Sequence, residues 1–378
     1  DGSYSASIPA SALSGTLLIE SSGGTYDDEM TGATTTAGIM AAYVPAGDLS
    51  SGGSVNLDPA STIIAGLVSA GNSYAFARTT FASTFGFTPD ITIAPRNAPY
   101  SASSTTAQRL AALRAMAFSR LTKDLGLSPE IQFNLLESLA EDLADGAADG
   151  MNGSTPVALG TGSVPEDLQN KFENALVTCL SDTVHNLTGL TVDQVGNLSF
   201  AKVAITPTYR VEYVPMGMMA PTMGKSMFKV RVTLRSNGSP VTGLLAASQL
   251  KLQPMMHMST KNHGTPVEIT SDNSDGSYTC TAYYLMASGL NMGIWELKFM
   301  VGPSAETAIF HPSVGMAMGT DTIVQRLYGP SDVISMPSGT QYLRYVLFRD
   351  GSVSASAGTL NLMSSHAENI MMYFNPVS

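Results

Sequence analysis

Two cysteines, Cys179 and Cys280, are all that the 378 residues hold, and no CxxC pairs them. Thiolate metal sites and thioredoxin-type chemistry therefore have no basis here. One long-range disulfide and two buried thiols remain as alternatives for the pair. Charge is also scarce. Asp, Glu, Lys and Arg make up 13% of the chain, against roughly 25% in ordinary globular domains. What charge there is leans acidic, with 19 basic against 30 acidic residues and a net charge of −11. Binding to nucleic acid needs clustered Lys and Arg, so that class is excluded. An anionic membrane surface is disfavoured for the same reason. No apolar run reaches the ~20 residues of a transmembrane helix. There is no G-x-S-x-G elbow, phosphate loop, dinucleotide fingerprint or HExxH. A binding role without catalysis is expected.

Gly, Ser, Thr and Ala fill the space that charge leaves, a composition common in secreted and cell-surface proteins. A start at Asp1 without Met points the same way. The expectation is a periplasmic, cell-surface or extracellular protein.

The pattern changes twice along the chain, which predicts an α+β multidomain protein. Residues 1–55 hold apolar runs bounded by Gly, Ser and Pro, at Ser14–Glu20 and Gly38–Val44, and read as a small β-unit. Residues 56–198 read as a helical domain of about five helices. Asp58-Pro59 is an N-cap signal, Gly126 a stop and Ser128-Pro129 a new start. Leu110, Leu113, Ala117 and Leu121 share a face, as do Ile131, Leu135, Leu139 and Leu143, then Leu168, Phe172, Leu176 and Cys179. From there the period is two. Phe228–Leu234, Tyr278–Leu285, Trp295–Val301 and Tyr342–Phe348 alternate, with Asn237-Gly238 as a turn. Residues 199–302 are expected to form an immunoglobulin-like β-sandwich. Residues 303–378 form a further β-region, a second sandwich or the completion of the first.

Methionine is the abundant oddity. Met216, Met218, Met219 and Met223 lie between Pro215 and Gly224, with Met227 after them. Pro254-Met255-Met256-His257-Met258 is followed by Asn262-His263-Gly264. Gap-filling methionines scatter through periodic segments, whereas these sit among Pro, Gly, Ser and Thr. Thioether and imidazole together favour copper, Cu(I) ahead of Cu(II). Two readings stand side by side, a soft-metal site and adaptable apolar packing.

Phe228 to Val301 resembles the FixH/YtkA-like family of exported immunoglobulin-like domains. Three pieces carry the resemblance in order: Gly238-Ser239-Pro240-Val241-Thr242-Gly243; the Met255–His263 segment; and Asp275-Gly276-Ser277-Tyr278 leading to Met292-Gly293-Ile294-Trp295-Glu296-Leu297. The resemblance implies periplasmic copper handling, with ligands in the Met255–His263 loop and Met292 opposite. His257, Met258, Met256 and His263 are the leading candidates, and Met216, Met218, Met219 and Met223 could add thioethers. His257 inside the Met run and the Met216–Met227 cluster depart from the family pattern. The helical segment, from Val55-Asn56-Leu57-Asp58-Pro59 to Asp145-Gly146-Ala147-Ala148-Asp149-Gly150, resembles a module of bacterial surface lipoproteins and implies no chemistry.

Capture, storage or delivery of Cu(I) is one expected function, with a copper-accepting protein as partner. The other is a structural subunit of a filament or matrix that self-associates through its methionines. Weaker candidates are His311, Met316 and Met318, and Met363, His366, Met371 and Met372, as a second copper site. Asp142, Asp145, Asp149 and Asn152 read as a solvated helix end before a calcium site, since their spacing is not that of an EF-hand. His185 reads as a helix-end residue.

Overall fold

The computed structural model describes residues 5, 7–49, 53–97, 104–217, 220–317, 324–336, 339–349, 355–356, 359–360 and 370–375. Helices and several antiparallel sheets coexist, so the protein is mixed α+β. The chain divides into two compact units, Asp1–Ala201 and Lys202–Ser378.

In the first unit, β1 (Leu17–Ser21) pairs antiparallel with β4 (Met40–Val44), and β2 (Thr25–Asp27) with β3 (Thr34–Thr36). These strands fall in the same compact unit as the helices. Ser61 donates its hydroxyl to the Ala41 carbonyl at 2.9 Å, and Ala41 N–H donates to Thr62 Oγ1 at 3.0 Å. Both partners lie on α1 (Pro59–Ser69), which opens on a reciprocal capping box between Asp58 and Ser61. Next come α2 (Tyr74–Phe85), α3 (Thr106–Asp124), α4 (Gln132–Asp142) and α5 (Leu168–Ser181). Gly126, at φ 72°, follows the end of α3. Between α4 and α5 lie four two-residue strands, β5 to β8, within residues 151–163. Phe81, Phe85, Phe118 and Phe172 form the aromatic centre of the unit's core, with rings 4.7–5.4 Å apart. Cys179 lies in a smaller apolar cluster with Met30, Leu113, Met116 and Leu190.

The second unit is an alternation of short strands. β13 (Val267–Asp272), β14 (Ser277–Tyr284), β11 (Gly224–Leu234), β10 (Tyr209–Pro215) and β9 (Val203–Ile205) form one sheet in that spatial order. β12 (Leu250–His257), β15 (Ile294–Val301) and β16 (Glu306–Phe310) form another. Residues from the two sheets meet ring to ring. Phe228 is 6.4 Å from Phe299, Tyr213 is 6.3 Å from Phe310, and Tyr284 is 5.1 Å from Trp295. The inner residues of β15 are all buried, as period-two alternation requires. Residue 302 lies in the turn of the β15–β16 hairpin. β16 pairs with β15 from Leu297↔Phe310 to Val301↔Glu306 and is part of the same sheet. A long hairpin, β17 (Val324–Met336) with β18 (Gly339–Arg349), then pairs with strand Ile370–Asn375. Cys280 is buried on β14. Both cysteines are free thiols, so the disulfide alternative does not hold.

Neighbouring strands within each sheet are antiparallel, and the two sheets are tied end to end by Thr206 and Thr208 with Glu306 on one side and by the Thr222–Gly315 bridge on the other, so the connections of β9–β16 fall at two opposite ends. One end carries residues 206–208, 235–249, 273–276 and 302–305. These contain no Met and no His. The other end carries 216–223, 258–266, 285–293 and the segment that follows Phe310. All the described loop methionines and histidines of β9–β16 lie at that end.

Candidate functional site

Pro254, Met255, Met256 and His257 are the last four residues of β12, not a loop. The expectation of a relaxed loop fails because a proline is tolerated at this edge. β12 pairs with β15 on one side only, and Met256 turns its N–H and C=O the other way, to His263 at 2.7 and 3.0 Å. Pro254, two residues earlier, shares that orientation. Its missing N–H faces away from the β15 ladder and costs no sheet hydrogen bond.

Strand geometry then divides the expected ligands between two faces. Met256 is fully buried opposite Trp295. His263 forms an isolated antiparallel bridge with Met256, which directs the two side chains to one side. Met258 follows on the same side. A Cβ built on Gly293 would stand 3.2 Å from both Met256 Cε and Met258 Cγ and would strike the His257 carbonyl. Gly293, at φ 128°, lets the start of β15 come this close. Met292 precedes it and is half-buried. Met256, Met258 and His263 thus lie on one side, and Met292 is the chain neighbour of the glycine they approach.

Met255 and His257 face the other way. Met255 is the cross-strand partner of Glu296. His257 Nε2 lies 3.0 Å from Glu296 Oε2. The two residues line an open cleft with Asn262 and Lys298. Burial alone would raise the Glu296 carboxyl. The His257 hydrogen bond, with nearby positive charge including Lys298, outweighs burial and holds it below its ordinary range. Glu296 escaped the sequence reading. The signal was there in period two, since outward alternation along Trp295-Glu296-Leu297 places it beside Met255 once β12 is recognised as a strand.

Other candidates scatter. Met216 is 44% exposed just beyond β10. Met223 is half-buried, and its N–H donates to the Gly315 carbonyl at 2.9 Å. Met316 is exposed nearby. Met218, Met219, Met318, Met363 and His366 lie outside the described residues, as do the side chains of Met371 and Met372. His311 is buried, and burial pushes its imidazole down to about 4, so it is neutral, with Nδ1 3.3 Å from the Trp295 carbonyl. In the first unit, Asp142, Asp145 and Asp149 accept backbone N–H groups of Gly150, Gly153 and Met151 and so hold the turns after α4. His185 lies just after α5, with Nδ1 2.7 Å from Oδ2 of Asp182, the residue that ends the helix.

Among the described residues no three His, Cys, Asp or Glu side chains converge on a metal-sized site. A metal at this end would need thioethers, and the donors present are soft. Met256, Met258, Met292 and His263 fit Cu(I) better than a harder cation. No family model, curated protein or solved structure matches the chain. No helix among the described residues is long and apolar enough to cross a membrane.

Proposed function

We propose that the second unit captures Cu(I) at its Met/His end, in an exported protein that stores or delivers the ion and does not catalyse. The observation that carries this reading is the segregation of loops. Four connections at one end bear Met and His, and the four at the other bear neither. Met258, His263 and Met292 would hold the ion, with Met256 behind them. Neutral thioethers bind without losing a proton, and His263 would add a firmer donor. The FixH/YtkA-like resemblance, with an immunoglobulin-like sandwich over residues 199–302 extended to Phe310, supports the same assignment. A copper-accepting protein is the partner this function needs.

The test is competition against a chromophoric Cu(I) chelator. Met258→Leu/His263→Ala is expected to weaken retention at least about tenfold, and His257→Ala to weaken it less. Equal retention by wild type and the double variant would remove the site.

A second reading has its own observation. Leu290 (61% exposed), Met316 (62%) and Met216 (44%) are large apolar side chains left uncovered at the same end. A filament or matrix subunit would bury them against the next copy. Sedimentation of metal-free protein across a concentration series separates the two, since only the second reading requires assembly without copper.

A further inference from the structure

In the first unit, a cleft between the start of α1, the stretch after α2 and the first half of α3 encloses ≈ 130 Å³. Phe87, Ile93, Leu110 and Phe118 make apolar walls, and the one basic side chain lining it is Arg114. The Arg114 guanidinium lies 4.3 Å from the centre of the Phe87 ring. Arg114 has no hydrogen bond and no ion pair with any described residue. Asp58 acts on it through charge alone. The Asp58 Oδ1 is already taken by the Ser61 N–H at 2.6 Å, in the cap of α1. Burial pushes the guanidinium down to about 10, against the opposing charge of Asp58. A half-buried guanidinium with five donors, no acceptor and no hydrogen-bond partner among the described residues is open to a planar anion.

We propose that this cleft binds a short aliphatic monocarboxylate, its carboxylate on the Arg114 guanidinium and its tail against Phe87, Leu110 and Phe118. The planar fork matches a carboxylate with two parallel hydrogen bonds. The volume is that of about four water molecules at ~30 Å³ each, which suits a ligand of two to four carbons. Asp58 and Asp90 line the same cleft. Their charge disfavours a dianion such as phosphate, and no second cation is present among the lining residues to offset it. This inference is independent of copper, since every residue it uses lies in the first unit.

Sodium propionate titrated into the full chain, followed by calorimetry or ligand-observed NMR, tests it. Sodium chloride at equal ionic strength and propionamide, the neutral isostere, serve as controls. Saturable propionate binding, at least about tenfold tighter than propionamide, is expected. Arg114→Met should abolish it. Ala111→Leu, which fills the cleft and leaves the guanidinium in place, should weaken it about tenfold, and it decides the matter should the arginine variant fail to fold. Propionate no better than propionamide, or binding that survives both substitutions, would overturn the assignment.

Discussion

At Asp142, the end of α4, burial pushes the carboxyl up to about 7, against the opposing hydrogen bond from the Gly150 N–H at 2.7 Å. In the unfolded chain the same group ionises near 3.9. Between about 4 and about 7 the folded protein keeps a proton that the unfolded chain has lost. Stability from this group is therefore greatest in acid and falls as pH rises through that window. Asp142→Asn keeps an oxygen for Gly150 and removes the charge. It is expected to stabilise the protein by roughly 2–4 kcal/mol at pH 7.5 and by almost nothing at pH 4. Denaturant unfolding at the two pH values measures this, and an equal effect at both would refute the buried-charge account. Gly293 makes the opposite case. Any Cβ there meets the His257 carbonyl and crowds Met256 and Met258. At φ 128° the backbone also disfavours any L side chain. Gly293→Ala should cost roughly 2–3 kcal/mol and weaken Cu(I) retention together. A variant with wild-type melting and metal retention would show that the close approach does not matter.

Element by element, the sequence was most readable where the local signal and the tertiary role agree. Asp58-Pro59, Gly126 and Ser128-Pro129 punctuate the helices as expected because caps are local chemistry. α2 carried no strong signal. Its apolar face is built from Ala77, Thr80, Phe81 and Thr84, and small and hydroxyl side chains blur the period. The Met run was illegible as a strand. Pro254 argues against a strand until the edge is known, and edges are set by pairings far away in sequence. Glu296 was missed for the same reason, since its partner His257 is 39 residues earlier. The cysteines illustrate the limit of composition. An oxidising compartment would favour a disulfide, but Cys179 sits in an apolar cluster and Cys280 inside a sheet. Burial pushes both thiols up to about 12. Native protein is expected to resist iodoacetamide at pH 8, and unreduced, denatured protein to take up two equivalents by intact mass. Fast labelling of the native chain would contradict their burial.

At the scale of the molecule, the two units have different economies of side chains. The first unit is held by an aromatic core, where Phe172 touches Phe85, Phe87 and Phe118. Its carboxylates cap turns, and its histidine, His185, is engaged with Asp182. In the second unit the core residues of β9–β16 face inward in register, which leaves the connections free to differ in composition from one end to the other. Packing does not require Met258, Met292 and His263 to share an end with Met216, Met223 and Met316, because loops tolerate nearly any polar residue. Soft-metal capture does require clustering. The consequence is that copper should travel with one unit. Residues 202–378 expressed alone are expected to retain Cu(I) against a chelator as the full chain does, and residues 1–201 to retain none. Where the 202–378 fragment is folded by circular dichroism yet releases copper as readily as the 1–201 fragment, the Met/His end is a packing surface and the self-associating reading takes its place.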